Sequence, residues 1–392
     1  MNDRSDTPAT DHLHLAVALD GAGRHPAAWR EPPARPARLF SAGYWTGLVA
    51  EAERGLLDFV TIEDALGPQA PPDRTGHVTG RLDAVLLAAR LAPVTTRIGL
   101  VPTATTTHTE PFHVAIGIAT LDHVSGGRAG WRPQISARAE EARHFGRRDL
   151  PDVLEPYHVA DLLDEAGDAV EVARSLWDSW EDGAEIRDVA TGRFLDRDRL
   201  HYADFRGRWF DVKGPSITPR PPQGQPVVAL LAHAGPALEL AARSADVVFV
   251  TPSDREGAAA LVRQIRALPR TGEPLKIFAD LVVFLGAGAA ERKARLDELD
   301  GAAFEGAASD AAVFTGTPEE LADLLLDWRD AGIQGFRLRP GGLPHDLKAV
   351  TRGLTSALRR RGAFRDAYEA GTLRGLLGLP RPVNRHLPVG AR

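Results

Sequence analysis

Residues Arg97–Trp131 read RIGLVPTATTTHTEPFHVAIGIATLDHVSGGRAGW. An Ile/Leu/Val run over Arg97–Thr103 ends in a polar loop, Thr103 to Glu110. Pro111 then opens a helix pattern that reaches His123, and a second strand-like run follows at Gly130–Ser136. Strand, helix and strand in that order form a βαβ unit, whose two strands must lie parallel because the helix carries the chain back across the sheet.

Outward from this unit the same alternation recurs. Further strand-like runs stand at Leu13–Asp20, Phe59–Asp64, Pro226–Ala232, Val247–Thr251, Ile277–Leu285 and Phe336–Pro340. Helix patterns lie between them at Ser41–Arg54, Gly80–Leu91, Pro236–Ser244, Asp254–Ala267 and Thr317–Gly332. The last opens with Thr317-Pro-Glu-Glu, an N-cap, a Pro at the first helical position and two acids for the helix dipole. Eight alternations predict an α/β fold of the (β/α)₈ TIM-barrel type over 11–352, against a doubly wound sheet of five or six strands. The fourth and fifth runs are separated by about ninety residues where about thirty are usual, so 137–225 is read as an insertion. It holds a long amphipathic helix, about Asp161–Trp180, then an irregular stretch, Glu181–Gln225, of the kind that forms lids and binding loops. Residues 1–10 are expected to be a disordered tail and 353–392 an extension packed on the barrel.

Composition narrows the function. The 392 residues are 43% hydrophobic and 26% charged, which is enough apolar surface for a large core. A net charge of −6 without long blocks of either sign speaks against nucleic acid and against a polybasic membrane anchor. With no cysteine, disulfides, iron–sulfur clusters, thiolate zinc sites and thiol nucleophiles are excluded. No apolar signal core and no run of 18 apolar residues occurs, so a soluble, cytoplasmic protein is expected. Only four basic residues are lysines, which we read as codon bias in a GC-rich genome.

Several motifs are set aside. Gly286-Ala-Gly288-Ala-Ala-Glu291 resembles a dinucleotide turn but has Glu where the third Gly belongs. Walker, HExxH and Gly-x-Ser-x-Gly motifs are missing. His108, Glu110 and His113 suggest a metal set, yet the zinc deaminase pattern needs cysteines this chain lacks, so no metal is expected. Barrel chemistry sits where strands end: at Asp20, Glu63-Asp64, Thr103 to His108, Trp131, His233, Thr251 and Asp280. Paired carboxylates there suit a glycosidase. Against that, only 6% of residues are aromatic, and few stand at strand ends to stack on a sugar. The hydroxyls of Thr103–Thr109 suit a heteroaromatic ligand with polar edges, such as a flavin.

The Arg97–Trp131 stretch closely resembles the bacterial-luciferase-like, flavin-dependent monooxygenases of the nitrilotriacetate and desulfurisation subfamily. So do Leu13–Arg30, Phe59–Ala65, Ser175–Asp196, His201–Val227 and Gly316–Phe336, and the resemblance runs from about Leu13 to Pro382. It implies a two-component monooxygenase. A separate flavin reductase supplies reduced FMN, and this chain uses it with dioxygen to oxygenate a small organic substrate, as a homodimer or as a heterodimer with a related subunit. The cofactor carries the hard chemistry and the protein supplies position and a dry pocket. Carried over residue by residue, Asp64, Thr105 and Thr106 fall beside the flavin ring and His108 near its reactive face. Tyr157, His233 and Ala234 fall on the phosphate side.

Three places depart from that family's pattern. Its usual Asn-Val-Val-Thr-Ser strand is Arg132-Pro-Gln-Ile-Ser136 here. A His and Tyr near the phosphate become Val159 and Leu163 by ungapped counting, or reach Tyr157 if about six residues are inserted. The Gly-Ser-Ser after the fifth strand becomes Ala232-His233-Ala234. Each hydrogen bond lost from a phosphate costs roughly 1.5–3 kcal/mol, which His233 or Arg132 would partly offset. A second reading therefore stands beside the first: a flavin-poor paralogue acting as a non-catalytic partner subunit or binding protein.

Overall fold

The computed structural model describes residues 12–70, 74–233, 235–302, 304 and 310–387; the expected tail at 1–10 and Ala234 lie outside them. Eight strands form the ring: β1 His14–Leu19, β2 Phe59–Ile62, β3 Gly99–Thr105, β4 Gly130–Gln134, β5 Val227–Leu231, β6 Val247–Val250, β7 Lys276–Leu285 and β8 Gly335–Pro340. Each pairs in parallel with the next, and β8 closes on β1 through Leu15↔Phe336, completing the TIM barrel that the alternation predicts. All eight fall within a residue or two of the expected runs. Buried on both faces, such strands read as nearly unbroken apolar stretches.

The helices covering the ring are α1 Ala42–Arg54, α2 Ala84–Leu91, α3 Pro111–Ser125, α4 Ala139–Phe145, α5 Pro156–Trp177, α6 Gly235–Ser244, α7 Arg255–Ala267, α8 Ala289–Asp300 and α9 Pro318–Asp330. Asp254 and Thr317 cap α7 and α9 with their side chains, and Thr317 and Glu320 form a reciprocal capping box. Helix α8 starts inside the Gly286–Glu291 motif, with Gly288 at φ +71 as its N-cap.

Two readings of the insertion are corrected. Helix α5 begins at Pro156 rather than Asp161, because Glu155 and His158 cap it reciprocally ahead of the apolar stripe. The stretch read as irregular contains two antiparallel ribbons, Glu185–Asp188 with Arg193–Leu195 and Phe205–Arg206 with Asp211–Val212. Their strands, two to four half-buried or exposed residues long, are too short for an alternation that would betray them.

The amino-terminal end of the barrel is plugged. Leu373, Leu377 and Leu379 cluster with Phe59, Val101, Phe249 and Phe278, and the Leu373 side chain reaches the bare backbones of Gly99 and Gly130. Ion pairs pin the plug: Arg365 to Asp58 at 2.7 Å and Arg374 to Asp246 at 3.2 Å. Leu373→Ala is expected to cost about 2–5 kcal/mol in urea unfolding, since the hole it leaves is walled by strands that cannot collapse.

Candidate active site

At the opposite end the barrel is lined by charge. β8 alternates Phe336 and Leu338 with Arg337 and Arg339; the apolar pair joins the hydrophobic core, while both arginines reach carboxylates across the mouth. Arg337 is fully buried, pairs with both oxygens of Asp280 on β7, and lies 4.1 Å from the Phe249 ring centre. It also reaches Glu63 at 3.2 Å. Arg339 meets Asp280 at 2.6 Å and Asp310 at 2.5 Å, and Asp310 meets His233 at 3.3 Å. On β4, Arg132 donates to Glu63 at 2.5 Å, to Gln134 Oε1 at 3.0 Å and to Thr103 at 3.1 Å. One network thus crosses the mouth from β3 to the end of β5.

Burial by itself would push the Glu63 carboxyl up, but Arg132, Arg337 and Arg339 draw it down to about 2. Burial opposes ionisation of Asp310 as well, and is overcome by the hydrogen bonds of His233 and Arg339, which hold it far below the carboxylate range. Burial also acts first on Asp20, at the end of β1, and there it prevails, raising the carboxyl despite Arg81.

Two adjoining cavities open here, of about 190 and 330 Å³. The inner is lined by Glu63, Arg132, Gln134 and Arg339 among others; the outer by Gln69, His77, Arg138 and Phe304; Asp20 and Arg24 line both. A further hollow of about 350 Å³ between α1 and the Pro344–Arg352 segment contains no strand-end residue, so it stands apart from barrel chemistry.

The expected site residues divide into two groups. Thr106, Asp64 and His233 join the network. The Thr106 hydroxyl donates to Gln134 O at 3.2 Å, Gln134 Nε2 donates to Asp64 O at 3.1 Å, and His233 meets Asp310. The Asp64 carboxylate itself accepts from Ala65 N at 2.8 Å and Ala84 N at 2.9 Å, holding the start of α2. Thr105 is buried at the end of β3 and pairs with Gln134 in register. His108 and Tyr157 are not brought there. His108, at φ +70, stacks on Phe145, with Nε2 buried and unpartnered among the described residues; burial, then the Arg148 charge, lowers its pKa. Tyr157 is 63% exposed and packs on His158. Of the metal trio, Glu110 pairs with Arg147 and His113 lies edge-on to Phe112.

Sequence reasoning missed Arg24, Gln134, Asp310, Arg337 and Arg339. The signal for the last two was present: two arginines, two apart, in an otherwise apolar strand must share one face. Pro133 lacks a donor, and pairing of β4 with β5 ends at Trp131↔Val228, two residues before it.

The residues suit the flavin class of cofactor in one respect that can be tested. The buried Nε of Arg81, beside Asp20, has no partner among the described residues. This leftover cationic donor matches a ligand rich in anionic oxygen.

The fold and this strand-end site define a barrel enzyme with a polar, cationic mouth. The sequence pattern described as luciferase-like monooxygenase matches residues 21–307, and the chain belongs to that family. It is 31% identical to N-acetyl-S-(2-succino)cysteine monooxygenase of Bacillus subtilis (strain 168), over 97% of this chain and 99% of that one. It is 32% identical to nitrilotriacetate monooxygenase component A of Aminobacter aminovorans, over 96% and 98%. Among solved structures, a riboflavin lyase with modified FMN and riboflavin superposes with a TM-score of 0.83 at 26% identity, over 97% of this chain and 99% of that one. The chain is therefore an oxidoreductase, a flavin-dependent monooxygenase, and the reading as a non-catalytic paralogue is not favoured.

Because Glu63 is held at about 2 against an ordinary 4.5, its contribution to stability is complete above about pH 4.5 and is lost as pH falls toward 2. Glu63→Gln should lower stability at neutral pH and flatten the acid limb, as read by urea midpoints at about pH 7 and about pH 3. Equal losses at both would contradict the pairing.

Proposed function

We propose that the chain uses reduced FMN, supplied by a separate reductase, to oxygenate a small organic substrate at the strand ends. The carrying observation is the pair of cavities at the carboxyl ends of the strands, in a chain that aligns along 97% of its length with an FMN-bearing neighbour. That a relative is called component A supports a second, electron-supplying component. When bound, the cofactor supplies two electrons, so that one oxygen atom of dioxygen enters the substrate and the other leaves as water.

The chain's own residues hold and shield. Thr105, Thr106 and Gln134 would line the ring side, with Asp64 fixing the loop behind them. His233 and the N-terminal amides of α6, with Ala234 between them, would face the phosphate. The Arg132–Glu63–Arg337–Asp280–Arg339 lattice keeps its donors fixed beside the inner cavity. His108, whose pKa burial lowers, and Tyr157 stand outside this lining.

Anaerobic titration with reduced FMN should show micromolar binding, about −8 kcal/mol, weakened about tenfold by His233→Ala. Oxygenation should require reductase-supplied FMNH₂. A native chain blind to reduced FMN would overturn the reading.

We also propose a homodimer joined on the outer face of α2 and α3. Leu86 on α2 is 72% and Val124 on α3 52% exposed, and Val114 and Ile116 on α3 are half-buried. Leu86→Glu combined with Val124→Glu should halve the mass seen in sedimentation.

A further inference from the structure

The corner of the mouth that the ion network leaves unsatisfied is the loop after β1, Asp20-Gly-Ala-Gly-Arg24. Its shape is dictated by Gly23, at φ +125, where a Cβ would lie 2.6 Å from Gly341 O and 2.7 Å from Gly342 Cα. Only glycine allows the loop to lie this close to the end of β8. Gly23 N donates to Asp20 O at 2.9 Å, Arg24 N to Pro340 O at 2.8 Å and His25 N to Gly341 O at 3.0 Å. Arg24 is therefore held by its own backbone at the wall shared by the two cavities.

Its guanidinium is underused. Nε is buried without a partner among the described residues, and the approach to Asp310 is 3.9 Å, too long for a hydrogen bond. Asp310 already serves Arg339 and His233. Asp20, the carboxyl that lines both cavities, is raised by burial and is a poor counter-ion. The other neutral polar side chains of the outer cavity are engaged: His25 meets Asp297 at 3.0 Å, His77 meets Asp300 at 2.7 Å and Gln69 exchanges two hydrogen bonds with Gly80. Arg138 lies 3.7 Å from Glu141 with its side chain largely in solvent. Pro26, Ala70, Val78 and Phe304 complete the wall. Among the described residues, Arg24 is thus the cation of the outer chamber with a buried, unpartnered donor, and an anionic oxygen pair is the natural complement of a guanidinium fork.

We propose that Arg24 determines substrate class, binding a carboxylate of the substrate from the outer chamber, so that this monooxygenase acts on small organic acids rather than on neutral molecules. The proposal rests on the flavin monooxygenase reading for the reaction itself, but not for the binding. An anionic oxygen group could also be the phosphate of FMN, and the test separates the two sources.

Flavin-free protein is titrated calorimetrically with succinate, glutarate and tricarballylate, and with succinamide as the neutral counterpart of succinate. The same variants are titrated anaerobically with reduced FMN and reduced riboflavin. The native chain should bind at least one of the acids and not succinamide. Arg24→Ala should weaken that acid about tenfold or more, and Arg24→Lys should keep part of the affinity, with circular dichroism unchanged in both. Reduced FMN and riboflavin should bind these variants as they bind the native chain. Acid binding that is absent, or equal in native and Arg24→Ala protein, overturns the proposal. So does a variant that loses FMN but not riboflavin, which would assign Arg24 to the phosphate. Failure of the native chain to bind reduced FMN while Arg24-dependent acid binding persists would strike the cofactor reading and leave this one standing.

Discussion

Arg337 buried inside the barrel against Asp280 is the constraint on which the mouth depends. A guanidinium without solvent is tolerable only if nearly all of its donors are met, because desolvation otherwise exceeds the Coulombic gain. The Asp280 carboxylate, shared with Arg339, and the Glu63 carboxylate, shared with Arg132, meet that demand. Each shared acid recruits another arginine, and the lattice of charges gives way to uncharged or titratable partners such as His233, Thr103 and Gln134. The strand ends are consequently positioned by charge pairing as well as by the backbone ladder.

The two ends of the barrel solve opposite problems. At the amino-terminal end, leucines from the C-terminal segment fill the ring, and the buried carboxylates Asp58 and Asp246 are tied to arginines of that same segment. That end is closed and apolar at its centre. The carboxyl end keeps its polar groups directed at one another across cavities of about 190 and 330 Å³, which leaves space for a ligand and donors able to meet one. Stability is concentrated at one end and chemistry at the other, the division expected for this architecture.

How much was legible follows from the range of the forces involved. The eight strands and most of their helices were readable because burial on both faces writes itself into consecutive residues. The insertion was readable as an overlong gap, whereas its ribbons were not, because strands of three or four residues such as Glu185–Asp188 and Arg193–Leu195 are too short to carry an apolar pattern. Among candidate site residues, Thr106, Asp64 and His233 do lie along one network, but the hydroxyl of Thr106 and the carboxylate of Asp64 are occupied by backbone groups. His108 and Tyr157, chosen by resemblance, stand away from it. Arg24 escaped notice because nothing in Gly-Ala-Gly-Arg indicates which distant backbone it will be stitched to.

From the amino-acid sequence alone follow the barrel, the position of its insertion and the family, since each rests on patterns local in the chain or spread evenly along it. Tertiary structure alone decided which charges meet. Arg337 finds Asp280 across 57 residues of sequence and Glu63 across 274, and Arg24 stands unsatisfied beside an acid already claimed by others. Ring closure sets those distances by bringing β8 back to β1, and at separations of a few ångströms in a medium of low dielectric, the pairing of charges determines what the mouth of the barrel can bind.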